Sequence, residues 1–172
     1  DTIEDTDTTE EKIATMFGKE VGHMVQAVTK ISRITDDKSI QEAETIKKMF
    51  FAMSKDLRVI LIKLADKLHN MRTIEGLKPD RKRTFAQDCL DIFAPIADSL
   101  GMSTIKSELE DLSLKAIRPE SYDYINGYLL EKKSEYNAFI KQVSRAIEEA
   151  CKEQGIKNIK VTGRVKHAYS IY

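Results

Sequence analysis

Residues 59–73 read VILIKLADKLHNMRT, and they decide the fold. Val59 to Ile62 are apolar without interruption, and Leu64, Leu68 and Met71 continue at helical spacing. The pattern predicts a helix over 57–73, capped by Asp56 or Ser54, with first turns buried on all sides at the centre of a domain. Asp66 follows the apolar stretch directly, so its carboxylate is expected in the core or in a cleft, where it has to be paired or bound to a cation. Ile62, Asp66, Asn70 and Thr73 fall on one stripe, and Leu61, Leu64, Leu68 and Met71 on another. The first stripe turns from apolar to polar along its length, as the wall of a pocket would. A blander reading stays open, in which Asp66 pairs with Lys63 or Lys67 and Asn70 frays the helix end. His69 stands one step off the polar face and reads as structural. His23 lies on a mixed face with no partner at ligand spacing, so the two do not form a zinc pair.

Working outward, three prolines and seven glycines in 172 residues leave most of the chain free to be helical. Thr8 or Thr9 followed by Glu10 and Glu11 predicts a helix start, ending near Phe17 before Gly18. Val21, Val25, Val28 and Ile31 mark a second helix. Thr35 to Ser39 reads as a polar loop, and Ile40, Ala43, Ile46, Phe50 and Phe51 mark a third helix. Pro79 suits the first turn of a long helix with Phe85, Cys89, Ile92, Phe93 and Ile96 as its stripe. Pro95 should kink or split it, and Gly101 should end it. Ser103 to Ile117 predicts another helix. A polar helix or helix pair is expected over 119–154, with Tyr122, Leu129, Tyr136, Phe139, Val143 and Ile147 as a sparse seam and an interruption at Gly127. Gly155 should close it, and residues 156–161 alternate like a strand that would need partners from elsewhere. The expected class is all-α: a helical bundle, a connecting helical region and a short strand.

Composition narrows the task. Lys plus Arg and Asp plus Glu both number 28, so no overall basic field favours duplex nucleic acid or a membrane surface. Apolar residues make up 41%, enough for a core. The two cysteines, Cys89 and Cys151, form no C-x-x-C pair and read as reduced thiols of a cytoplasmic protein. No apolar run reaches membrane-spanning length. The opening DTIEDTDTTEEK, charged and without Met, reads as a start inside a domain.

Asp1, Glu4, Asp5 and Asp7 crowd that opening. Helical neighbours at these spacings let carboxylates converge, as divalent cations and water activation require. On charge alone, a solvated acidic helix end is the better explanation, since runs of acids are common.

Four ordered motifs carry a family resemblance that covers essentially the whole chain. DTIEDT resembles the HDxxEDT motif of the hydrolase domain of long RelA/SpoT homologues, entered at its Asp. VILIKLADKLHNMRT resembles that family's second hydrolase signature, IFAPIADSLGMSTIKSELEDLS the segment after it, and GRVKHAYSIY the opening of its synthetase domain. The resemblance implies an HD-type hydrolase domain over 1–117, connecting helices over 118–155 and the start of an α/β synthetase domain over 156–172. It implies removal of the 3′-pyrophosphate from ppGpp or pppGpp with manganese held by two His and two Asp. Asp1 and Asp66 match the two Asp positions, and both His positions precede Asp1, so this stretch alone is expected to be impaired. Glu4 and Asp5 match the acidic pair near the attacking water, as general base or orienting groups. Asn70 and Thr73 match nucleotide contacts, and Lys67 and Arg72 are candidates to face phosphates. Arg164, Lys166 and Ser170 match ATP-contacting positions of the synthetase, with His167 beside them.

The intact acidic motif points to a hydrolase-competent or bifunctional member, since synthesis-only members carry a degraded version. The parent protein is then expected to use magnesium to transfer pyrophosphate from ATP to GDP or GTP, and to contact the ribosome through its C-terminal regions. Two alternatives remain at this point: an HD phosphohydrolase for another nucleotide, which the GRVKHAYSIY tail disfavours, and a non-catalytic regulatory helical module.

Overall fold

A computed structural model describes residue 3, residues 6–36 and residues 56–172, with no side-chain description over 32–36. Every regular element among the described residues is helical. The chain forms two compact units, Asp1–Ser113 and Leu114–Tyr172, and the division falls inside a helix instead of at its end. The expected helix over 40–51 lies outside the described residues.

In the first unit, α1 (Glu10–Phe17) begins at Thr9, whose hydroxyl accepts the Lys12 amide, with Glu10 and Glu11 in the first turn. Gly18, at φ 95°, stops it and returns its N–H to the Ala14 carbonyl. α2 (Lys19–Asp36) folds back on α1, running through the start of the expected loop at Thr35. The approach is close: a Cβ on Gly22 would lie 2.9 Å from Cβ of Ala14. Gln26 donates to the Glu10 carboxylate across the pair, and Ile13 and Ile31 are buried.

α3 (Leu57–Arg72) starts at Asp56, whose carboxylate accepts the Arg58 amide at 2.9 Å. It packs against α2. Its covered face is Val59, Ile60, Lys63, Leu64, Leu68 and Met71. The expected burial on all sides does not hold, because Leu61 and Ile62 stay 39% and 46% exposed. They lie around the helix from the covered stripe, and an apolar run shows where burial is tolerated, not where a neighbour is.

A 3-10 turn (Ile74–Gly76) leads to α4 (Pro79–Asp88), a π-helical turn (Cys89–Phe93) and α5 (Ala94–Ser99). The split expected from Pro95 is this π turn. A prolyl ring crowds the carbonyl four residues back, and the wider turn, closed by the Ala94 N–H on the Cys89 carbonyl, absorbs the conflict without breaking the helix. The π turn packs on α3 and, with α5, supplies Cys89, Ile92, Phe93, Ile96 and Ala97 to the core. Burial pushes the Cys89 thiol up to about 12, which leaves it inert. Gly101, at φ 70°, ends α5, and α6 (Ser103–Ile117) follows.

The second unit contains α7 (Pro119–Glu131), α8 (Lys133–Glu153) and the short α9 (Ala168–Ile171), which begins at buried Ala168 and packs on α7. The interruption falls at Lys132, with Gly127 inside α7. Neither α7 nor α8 has a fully buried residue, and Phe139, Val143 and Ile147 of the expected seam are exposed. Residues 156–161 are not a strand. Asn158 adopts φ 62°, which breaks the extended run, and the Val161 amide is taken by the Glu148 carboxylate at 3.3 Å instead of a neighbouring strand.

Gly22→Val is expected to destabilise the chain by about 1–3 kcal/mol, because neither helix backbone can give way where α1 and α2 touch. Urea denaturation measures it, and an unchanged midpoint would show that the contact is looser than described.

Candidate functional site

α3 carries the site because its polar stripe emerges from the apolar one. Asp66 stands one turn beyond Ile62, with its side chain 37% exposed. One carboxylate oxygen accepts from Asn70 Nδ2 at 3.2 Å, and the other lies 3.4 Å from Nζ of Lys63, whose side chain is only 6% exposed. The ion pair weighed in the blander reading is therefore formed. Asn70, however, is engaged with Asp66 within the helix and not frayed from it.

Asn70 and Thr73 open onto a cleft of about 740 Å³. The rest of its lining comes from Leu77 and from α4: Asp80, Arg81, Thr84, Phe85 and Asp88. Thr73 ends α3, its hydroxyl 3.2 Å from the His69 carbonyl and 3.4 Å from that of Asn70. Arg81 is the only cation among the described lining residues, set beside two acids. The lining thus offers amide, hydroxyl, guanidinium and carboxylate groups around an aromatic ring, a set suited to a polar ligand with a planar part.

The α4 wall was missed in the sequence, though a signal was there. Asp80, Thr84 and Asp88 recur every four residues on the side of the helix opposite its core stripe. Such a stripe is indistinguishable from a solvated face until a second element closes over it.

Two cations considered for phosphates are engaged elsewhere. Arg72 makes a two-pronged pair with Glu108 of α6, at 2.6 and 2.9 Å. Lys67 places its ammonium 4.6 Å from the Phe85 ring centre and 5.1 Å from that of Phe93. His69 and His23 are exposed. Asp1, Glu4 and Asp5 lie outside the described residues. Among the described residues, no three His, Cys, Asp or Glu side chains are grouped to hold a metal. Asp66 by itself has the donor chemistry of one ligand in such a set, a hard oxygen donor still reached by solvent one turn before the cleft-lining Asn70. In the second unit, Arg164, Lys166 and Ser170 are exposed around the start of α9, and Ser170 Oγ lies 3.0 Å from Nδ1 of His167. No helix among the described residues is long and apolar enough to cross a membrane.

Comparison with known proteins adds a second line of observation. Residues 1–103 match the model of the HD domain family. Over the whole chain, the sequence is 44% identical to a GTP pyrophosphokinase of Myxococcus xanthus, covering 23% of that protein. It is 42% identical to a probable guanosine-3′,5′-bis(diphosphate) 3′-pyrophosphohydrolase of Synechocystis, covering 23% of it. It is also 42% identical to the bifunctional (p)ppGpp synthase/hydrolase SpoT of Escherichia coli K12, covering 24% of it. The chain thus spans about a quarter of the length of these curated relatives.

The Arg72–Glu108 pair yields a pH test. Hydrogen bonding from Arg72 holds the Glu108 carboxyl below its usual 4.5. A depressed folded-state value means that the pair contributes above 4.5 and loses its contribution as pH falls through the lowered value. Glu108→Gln is expected to lower the thermal midpoint slightly at pH 7, the pair being largely solvent-screened, and to match wild type in acid. A gap that persists in acid would point to packing instead of charge.

Proposed function

Since the chain belongs to the HD-domain family and, within it, to the RelA/SpoT proteins, we propose that its first unit is a (p)ppGpp 3′-pyrophosphohydrolase. The observation that carries this reading is the arrangement on α3. A partly exposed carboxylate at Asp66 stands one turn before Asn70 and two before Thr73, and those two residues line a cleft of nucleotide size. Whole-chain similarity to proteins named for this hydrolysis supports it.

Asp66 and Asp1 are the carboxylates that would hold manganese. When bound, that ion supplies positive charge against the phosphates and makes water in the site more acidic. Glu4 and Asp5 take a proton from the attacking water. The water oxygen bonds to the phosphorus linked to the 3′ oxygen, the bond from that phosphorus to the 3′ oxygen breaks, and the oxygen takes up a proton. Pyrophosphate leaves, and the 3′-hydroxyl is restored. Asn70 and Thr73 contact the nucleotide, and Arg81 adds a cation for its phosphates. Because the reacting phosphates are strongly anionic and hydrolyse slowly by themselves, charge neutralisation and water activation account for most of the required acceleration.

The parent protein, on the same reading, is cytoplasmic and bifunctional. Arg164, Lys166 and Ser170 begin an ATP site for magnesium-dependent pyrophosphate transfer to GDP or GTP, and regions beyond this chain contact the ribosome.

Pyrophosphate release from ppGpp by the full-length gene product with manganese tests the hydrolase reading. Asp66→Ala should lower kcat/KM by more than about 100-fold, the upper end for groups one step removed from a metal, with the helical circular-dichroism spectrum retained. Unchanged turnover would remove Asp66 from the mechanism. Glu4→Gln with Asp5→Asn should abolish turnover while manganese still binds. Arg81→Ala should raise KM about tenfold at similar kcat, the worth of one hydrogen bond to a charged group. A KM equal to wild type would take Arg81 out of substrate binding.

A further inference from the structure

We propose that Lys63 is a positioning residue that fixes the orientation of the Asp66 carboxylate, an inference that rests on Asp66 acting as a metal ligand. Lys63 is the only charged side chain buried among the described residues. It sits on the core-facing stripe of α3 with Val59, Ile60 and Leu64, where an apolar side chain would pack without desolvating a charge. Its ammonium reaches one oxygen of Asp66 at 3.4 Å, while Asn70 holds the other at 3.2 Å. The two contacts come from the turn before Asp66 and the turn after it, so they restrain the carboxylate against rotation as well as displacement.

Stability does not explain this arrangement. The partner carboxylate is 37% exposed, so water could solvate it if the lysine were absent. The buried cation is the member that needs the pair, and an apolar residue in its place would need none. What the lysine adds is direction. Groups standing behind a ligand characteristically fix its orientation and tune its affinity. The neighbouring cations make other contacts, Lys67 over two aromatic rings and Arg72 on Glu108. Lys63 thus acts through Asp66 without touching substrate.

The test uses Lys63→Met and Lys63→Arg in the full-length gene product. It follows manganese affinity by the paramagnetic resonance of the free ion, thermal unfolding, and turnover of ppGpp. Lys63→Met should keep or raise the unfolding midpoint while weakening manganese affinity about tenfold or more and lowering kcat. Lys63→Arg should recover most of the loss. The inference is overturned if Lys63→Met binds manganese like wild type. It is equally overturned if both variants lose affinity only in step with a lowered midpoint, which marks a purely structural lysine. Asp66→Ala, measured in parallel, separates the two levels. If it leaves manganese binding intact, the reading of Asp66 falls and the lysine inference with it. If it abolishes binding while Lys63→Met does not, only the lysine inference falls.

Discussion

A charged ammonium cannot be left alone in an apolar interior, and the middle of α3 is arranged around that constraint: Lys63 is buried, and its partner Asp66 is still reached by solvent. α3 keeps one face in the core from Val59 to Met71, and Asp66 and Asn70 stand beside that face where solvent still reaches them. The helix therefore serves as core element and site element within a few turns. The helix packs against α2 and the π turn, and its C-terminal end supplies Asn70 to the cleft. Arg72 secures the far end to α6 through Glu108, so the segment bearing Asn70 and Thr73 is anchored on both sides.

The opposite wall depends on the same helix by a different route. Lys67 lies over the rings of Phe85 and Phe93, one facing the cleft and the other fully buried. One ammonium thus ties α3 to α4 and to the π turn. The long alkyl stem packs among apolar groups while the charge meets two aromatic faces. The chain passes from α3 toward α4 through the short turn Ile74–Gly76, whose Ile74 is buried.

Much of this was legible in the residues. Caps and stops written in single residues, namely the side chains of Thr9, Asp56 and Pro79 and the positive-φ backbones of Gly18 and Gly101, place the helix ends where the structure has them, because capping is a local interaction. The polar position at Asp66 was visible because one periodic stripe changes character along its length. What periodicity could not give was identity of neighbours. Leu61 and Ile62 looked as buried as Val59 and Ile60. Arg72 looked free for phosphates until Glu108, distant in sequence, came beside it. The α4 wall looked like an ordinary wet face. Residues 156–161 alternated convincingly, but alternation describes two faces of a ribbon and supplies no partner for its edges. The acidic opening at Asp1, Glu4 and Asp5 was read from resemblance and lies outside the described residues.

The π turn at Cys89–Phe93 has a bearing on how this region tolerates change in length. Such a turn is an α-helix that has taken in one residue, and each residue advances a helix by about 100°. The inserted residue sets the phase between α4, which shows the cleft Asp80, Thr84 and Asp88, and α5, which shows the core Ile96 and Ala97. Losing one residue here would regularise the hydrogen bonding and leave every side chain chemically intact. It would nevertheless swing one half of the helix about a quarter-turn against the other, so that the cleft wall and the core plug could no longer both face inward. A single-residue deletion in residues 89–93 therefore destabilises through the phase of the helix, whichever of the five residues is lost.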